Sequence, residues 1–322
     1  MTLLSIITPA YNEEKNLPVL RRQLLDVLQR LDVSWEWLIV DDCSTDQTFD
    51  VVRAFNAADP RIKCIRLARN HGSHLAVLCG FRHAAGDAAI LQTADLQDSP
   101  EQIALLIEPW RNGADVVWVT RESGRADPAI SRKWAELYYV IMRRTLGLRE
   151  IPESGGDMVL LDRKVLAALA RFNEPSLNIL VTISWLGFNQ VSVPGVRNAR
   201  LHGRSSYTFA AKLRLFADTV TYYSARPIRW ISLFGILLSL VGFLYATIVA
   251  INFFVGHTIE GWSSTMVVIL ILNGVQMTMF GVMGEYLWRN IDQSRNRPVF
   301  IIRERLGETV LIKPDEGSQV SP

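Results

Sequence analysis

The residues best suited to chemistry fall in three short acidic turns: Pro9-Ala10-Tyr11-Asn12-Glu13-Glu14, Asp41-Asp42-Cys43-Ser44-Thr45-Asp46 and Asp95-Leu96-Gln97-Asp98. Carboxylates gathered in this way repel a bare phosphate. They suit hydroxyl and base recognition, together with a divalent cation that bridges carboxylates to a diphosphate. That combination points to a nucleotide-sugar donor. Any one turn is weak evidence, because Asp-Asp-x-Ser-Thr-Asp also starts helices, with Ser44 or Thr45 as the expected cap. Their coincidence at successive strand ends is stronger. Asp157, which follows Gly155 and Gly156, reads as a site residue or as a turn residue. His71, His74 and His83 match no metal-ligand spacing and read as packing or helix-surface residues.

Short apolar runs at 3–8, 37–40, 62–67, 88–92 and 115–119 read as buried strands, with helical patterns at 17–31 and 48–56 between the first three. Such alternation predicts a mostly parallel, doubly wound sheet, in which ligands bind beyond the carboxyl ends of the strands. Those ends are where the acidic turns lie. Gly-x-Gly-x-x-Gly and Walker loops are absent, which weighs against a dinucleotide dehydrogenase or a P-loop enzyme.

The whole chain has 322 residues, 49% of them hydrophobic, and a mean hydropathy of +0.15. This excludes a disordered chain, a collagen-like chain and a porin-like barrel. With 34 basic and 32 acidic residues there is no global nucleic-acid signature, so no nucleic-acid partner is expected. Three cysteines without metal-ligand spacing read as reduced thiols.

The apolar excess is concentrated between residues 228 and 287. Residues 230–254 carry no charge and, as a helix, would span about 37 Å; residues 265–287 would span about 34 Å. Two membrane spans are expected. Arg226 and Arg229 precede them, Arg289, Arg295 and Arg297 follow, and the loop at 255–264 has no Lys or Arg. Both termini and the N-terminal domain are therefore expected on the cytoplasmic side, with no signal peptide. Glycine pairs Gly235/Gly242 and Gly274/Gly281 permit close helix contact, within a hairpin or in a homo-oligomer. Basic amphipathic stripes at 134–142 and 209–223 suit either the membrane surface or the domain's own face.

The three turns, with Arg69-Asn70-His71-Gly72, Gly80-Phe81-Arg82-His83, Gly155-Gly156-Asp157-Met158 and Arg200-Leu201-His202-Gly203-Arg204-Ser205-Ser206-Tyr207, resemble family 2 glycosyltransferases. The resemblance is to the polyprenyl-phosphate branch and covers roughly residues 3 to 300. It implies a GT-A catalytic domain at 1–208, an interfacial helix at 209–227, two transmembrane helices within 228–288 and a cytoplasmic tail at 289–322. It further implies that Pro9, Tyr11, Glu13, Asp42 and Asp41 hold the base and ribose of a nucleotide sugar, with Arg200 near its diphosphate. Asp95 and Gln97 would contact Mg²⁺ or Mn²⁺; Arg121, Arg132 and Lys133 would receive a polyprenyl phosphate such as undecaprenyl phosphate; Asp157 would lie on the acceptor side. Two positions depart from the family pattern. Thr93 stands where the family usually has Asp, and Ser206 where Lys is common. A hydroxyl binds a cation more weakly than a carboxylate, so coordination could shift towards Asp98.

The implied activity is inverting, metal-dependent transfer of a sugar, by default from UDP-glucose, to the lipid phosphate at the cytoplasmic (inner) membrane. Two alternatives stay open. A processive polysaccharide synthase shares the domain, but Arg226-Pro227-Ile228-Arg229-Trp230 lacks the Gln of its Gln-x-x-Arg-Trp motif. A non-catalytic membrane adaptor would explain Thr93 as lost chemistry.

Overall fold

The computed structural model describes residues 2–121, 158–174, 178–196, 226–255, 261–295 and 297–312. The chain divides into two units, 1–212 with 298–322 and 213–297. In the first unit β1 (Leu3–Ala10), α1 (Leu17–Leu28), β2 (Ser34–Asp41), α2 (Thr48–Ala58), β3 (Ile62–Leu67), α3 (Ser73–Arg82) and β4 (Ala88–Leu91) alternate. A 3-10 turn at Pro100–Gln102 leads into α4 (Ile103–Arg111) and then β5 (Val116–Arg121). They are followed by β6 (Val159–Asp162), α5 (Arg163–Leu169), α6 (Ile179–Trp185), β7 (Gln190–Gly195) and finally β8 (Ile302–Leu306).

The strands form one sheet in the order β7-β5-β6-β4-β1-β2-β3-β8. β6 is antiparallel to β4 and β5, and β8 is antiparallel to β3; the other pairings are parallel. The alternation read from the sequence is present in β1 to β5. The pattern of apolar runs passes over β8, and the reason is physical. Ile-Arg-Glu-Arg-Leu carries its charges on an outer strand, where they guard the sheet edge instead of filling the core. The expected tail at 289–322 thus contributes a strand to the catalytic sheet, and a boundary at 208 leaves that strand out.

Helices cover both faces, so strand residues alternate between two apolar layers. Leu4, Ile6, Trp37 and Ile39 pack with α1, α2 and α4, whereas Ile7, Leu38, Val40 and Ile65 pack with α3, α5 and α6. Leu17, Leu20, Leu24, Val27 and Leu28 form one face of α1. The second layer also takes in Val299 and Ile312 from the C-terminal segment, 7% and 5% exposed.

At the amino ends of the strands, buried Glu36 accepts from the Ser5 hydroxyl at 2.5 Å and the Ala85 N–H at 2.7 Å, and pairs with Lys63 at 2.8 Å. Gly86 donates its N–H to Ser5 Oγ at 2.8 Å. A Cβ on Gly86 would lie 2.6 Å from the Leu3 carbonyl oxygen and 2.8 Å from both the Ala88 carbonyl oxygen and the Ser5 nitrogen. Backbone atoms cannot move aside as a side chain can. Gly86→Ala is expected to cost about 3 kcal/mol of stability, read as a lower urea midpoint; an unchanged midpoint would show that the turn rearranges freely.

The second unit holds α7 (Arg226–Phe254, 29 residues) and α8 (Trp262–Ser294, 33 residues). Ile231–Val249 in α7 is long and apolar enough to cross a membrane, and none of it is buried inside the chain. It is the one such stretch among the described residues, where the sequence reading expects two. Of the four paired glycines, Gly235 faces Met279 of α8, with its added Cβ 3.0 Å from Met279 Cε, whereas Gly242, Gly274 and Gly281 have no neighbour within 4 Å of that position. The amphipathic stripes expected at 134–142 and 209–223 lie outside the described residues.

Candidate active site

Parallel pairing brings the carboxyl ends of β1 to β4 to one rim. Ala10 lies opposite Asp41 and Asp41 opposite Arg66, while Gln92, just past β4, donates its N–H to the Ile7 carbonyl at 2.9 Å. The three acidic turns share this rim, the usual ligand side of such sheets.

The first two turns are laced together. Asn12 N–H donates to Ser44 Oγ at 3.0 Å, Glu13 N–H to Thr48 Oγ1 at 2.8 Å and Glu14 N–H to Asp46 Oδ2 at 3.3 Å. In return Asn12 Oδ1 accepts from the Thr45 N–H at 2.9 Å, and Glu14 Oε2 from the Gln47 N–H at 3.0 Å. Each bond contributes about 1 kcal/mol net, so together they hold two loops as one platform. Ser44 and Thr45 serve this lacing and do not cap α2, as their spacing suggests. Asp46 takes the helix start instead, accepting from the Thr48 N–H at 3.0 Å and its hydroxyl at 2.6 Å.

Asp41 corrects the sequence reading. It is fully buried; Oδ1 accepts from the Ser44 N–H at 2.9 Å and Oδ2 lies 3.1 Å from Arg66 Nε. A carboxylate so enclosed holds the turn and offers nothing to a nucleotide. Asp42, 3% exposed, accepts from the His71 N–H at 2.7 Å and the Gly72 N–H at 2.8 Å, tying the turn to the start of α3. Burial raises the Asp42 carboxyl above its ordinary range, the two N–H bonds oppose this, and the charge of Asp41 adds to it. Tyr11 is 44% exposed on the rim, and Pro9 and Glu13 are partly exposed beside it. The Glu13 carboxylate also accepts from Asn16 Nδ2 at 2.6 Å.

In the third turn the Thr93 hydroxyl lies 2.9 Å from Asp95 Oδ1 and 3.3 Å from Asp98 Oδ2, and the Gln97 N–H reaches Asp95 Oδ1 at 3.3 Å. One hydroxyl thus gathers two carboxylates. Among the described residues no group of three His, Cys, Asp or Glu could hold a metal. The set Thr93, Asp95, Gln97 and Asp98 is nevertheless rich in oxygen donors, which fits a hard cation such as Mg²⁺ or Mn²⁺ that completes its shell with phosphate oxygens and water.

Non-glycine residues with left-handed backbone, among those described, are Asn12 (φ 59°), Cys43 (φ 63°) and Leu96 (φ 60°). There is one in each acidic turn. Such geometry costs roughly 1–3 kcal/mol per residue and gathers where function imposes it.

The remaining candidates are not brought to the rim by any described contact. Arg121 ends β5 opposite Gly195, with its backbone alone described. Arg132, Lys133, Asp157 and Arg200 lie outside the described residues. His83 packs in the interior, one of the roles expected of the histidines. His83 is 2% exposed and its Nδ1 sits 2.8 Å from the Cys79 carbonyl oxygen. Burial pushes the His83 ring below its ordinary value and His74 down to about 4. Unfolded histidines take up protons below about pH 6.5, and these folded ones do so less readily, so stability falls on acidification. His83→Asn, which keeps a donor for Cys79, is expected to flatten the fall in Tm between pH 6.5 and 5; an unaltered slope would remove His83 from the effect.

The sequence pattern described as Glycosyl transferase family 2 matches residues 5–169, the stretch that carries all three turns. The chain belongs to glycosyl transferase family 2. This family 2 chain is 35% identical over 304 residues to a Bacillus subtilis (strain 168) protein named uncharacterized glycosyltransferase YkcC, covering 94% of each. It is 32% identical over 301 residues to the bactoprenol glucosyl transferase of Shigella phage SfV, covering 93% of this chain and 98% of the relative. It is 30% identical over 303 residues to the undecaprenyl-phosphate 4-deoxy-4-formamido-L-arabinose transferase of Sodalis glossinidius (strain morsitans), covering 93% and 92%. The family 2 chain is therefore a glycosyltransferase with a GT-A-like α/β sheet, and its rim is the place to look for sugar transfer.

Proposed function

We propose that this glycosyltransferase moves a sugar, by default from UDP-glucose, onto the phosphate of a membrane polyprenol, with inversion at the anomeric carbon. One observation carries the reading. Relatives named for bactoprenol and undecaprenyl phosphate match more than nine-tenths of the chain, well beyond residue 169 and through most of the helical unit. A shared sugar-transfer domain alone would not extend there.

Pro9, Tyr11, Glu13 and Asp42 hold the base and ribose in this reading, Asp42 through the turn that its two N–H bonds fix. Asp95 and Gln97 hold a divalent cation, which when bound neutralises charge on the departing diphosphate. Arg200 lies near that diphosphate, Arg121, Arg132 and Lys133 receive the lipid phosphate, and Asp157 serves the acceptor side. A phosphate monoester has a second pKa near ~6, so its oxygen attacks without a strong general base. The protein's part is to orient the two substrates and stabilise charge.

The long isoprenoid tail keeps the acceptor in the bilayer, since each CH₂ drawn into water costs about 0.8 kcal/mol. α7 and α8 form the membrane hairpin in this reading, with the catalytic unit on the cytoplasmic side of the inner membrane. Chain connectivity supports it. Residues on both sides of the helical unit belong to the same sheet, since β8 pairs with β3. A chain that crosses once in α7 must cross back before residue 302, and α8 is the long helix between.

The test is a screen of nucleotide sugars against undecaprenyl phosphate in detergent with Mg²⁺ or Mn²⁺, read by mass spectrometry. A monoglycosylated lipid and free nucleoside diphosphate are expected. Absence of glycolipid from every donor would overturn the reading, and a polymer would point to a processive synthase.

A further inference from the structure

We propose that Arg66, on β3 and outside every motif of the acidic rim, is a positioning residue that sets the donor-binding platform. This rests on the reading of the rim as a nucleotide-sugar site.

Arg66 Nε lies 3.1 Å from Asp41 Oδ2, and Arg66 Nη2 donates to the Ser44 carbonyl at 3.1 Å. The guanidinium also sits over the Phe49 ring of α2, 4.6 Å from its centroid. One planar group thus touches the end of β2, the turn after it and the helix beyond. Asp41 closes the triangle by accepting the Ser44 N–H at 2.9 Å. Ser44 is therefore gripped at its N–H and its carbonyl, and its hydroxyl accepts the Asn12 N–H that laces the first turn to the second. Moving Arg66 moves Ser44, and through it both loops that carry Tyr11, Glu13 and Asp42.

Charge gives the same assignment. Asp41 is fully buried, with Arg66 as its ion-pair partner. Removing one partner of a buried ion pair leaves the other without compensation and is strongly destabilising. The side chain of Arg66 is itself only 21% exposed. Across the sheet Arg66 pairs in register with Glu304 of β8, whose carboxylate lies 3.6 Å from Arg53, and Arg53 stacks on Phe49 from 4.7 Å. Phe49 thus carries both arginines. A lysine could keep the charge but could not fork between a carboxylate and a carbonyl while stacking on a ring.

The test compares full-length wild type with Arg66→Lys, using UDP-glucose turnover on undecaprenyl phosphate and calorimetric binding of UDP. Arg66→Lys is expected to raise the donor KM and the UDP Kd about tenfold or more, while kcat at saturating donor and the lipid KM stay within about threefold. A donor KM within twofold of wild type overturns the proposal, as does a parallel loss in kcat and both KM values, which would mark general loosening. Should Arg66→Lys fail to fold, the double variant Asp41→Asn with Arg66→Gln removes both charges together. Weak UDP binding by the folded double variant supports the proposal, and wild-type binding by it overturns the proposal. A wild type that neither binds UDP nor uses UDP-glucose overturns the reading of the rim, and the proposal with it.

Discussion

Asp95→Ala is expected to lower sugar transfer about 1,000-fold or more, the scale on which losing a major charge-stabilising contact in a transition state is felt. The side chain is partly exposed, and its described bonds include those to Thr93 and Gln97 of its own turn. Tm is measured alongside transfer, so that loss of chemistry is told apart from loss of fold. Transfer assays across a Mn²⁺ titration, with calorimetric binding of Mn²⁺ in the presence of UDP, separate the two effects. Full activity in a folded Asp95→Ala protein removes the residue from cation binding. Thr93 sharpens the comparison, because its hydroxyl already draws Asp95 and Asp98 together.

Ending the chain at residue 297 is expected to unfold the catalytic unit. The cut removes β8 and leaves the edge of β3 bare, a ready site for aggregation. It also withdraws Val299 and Ile312 from the second apolar layer, each worth about 1.5–3 kcal/mol when fully buried. Two further bonds go with it, from the Ala68 N–H to the Ile301 carbonyl and from the Ile312 N–H to the Arg82 carbonyl, both 2.8 Å. The sum approaches the 5–15 kcal/mol that keeps a typical domain folded. A shortened protein should melt at least about 10 °C lower or be recovered as aggregate. One that melts with the full chain would show the segment to be dispensable.

What the amino-acid order discloses, and what it conceals, follows from the range of the interactions. β1 to β5 are legible because buried strands flanked by helices read as apolar runs, and the acidic turns stand out where those runs stop. β6 has the same apolar character in Val159–Leu161, but its antiparallel place between β4 and β5 depends on a partner about seventy residues away. Asp41 and Asp42 are neighbours with the same side chain, and spacing alone does not say that one pairs with Arg66 while the other holds Gly72. The lacing of Asn12, Glu14, Ser44 and Thr45 leaves a faint trace, a surplus of short hydrogen-bonding side chains in both loops. Arg66 leaves none, since one arginine in a strand reads as an ordinary edge residue.

The place of β8 at the far end of the gene's reading order has a temporal consequence. At 5–20 residues per second a ribosome needs roughly 5–20 s to proceed from residue 212 to residue 306. Throughout that interval the nascent first unit has emerged without its final strand. The catalytic sheet matures only after both long helices have been translated, so its completion reports that the helical unit has already been made.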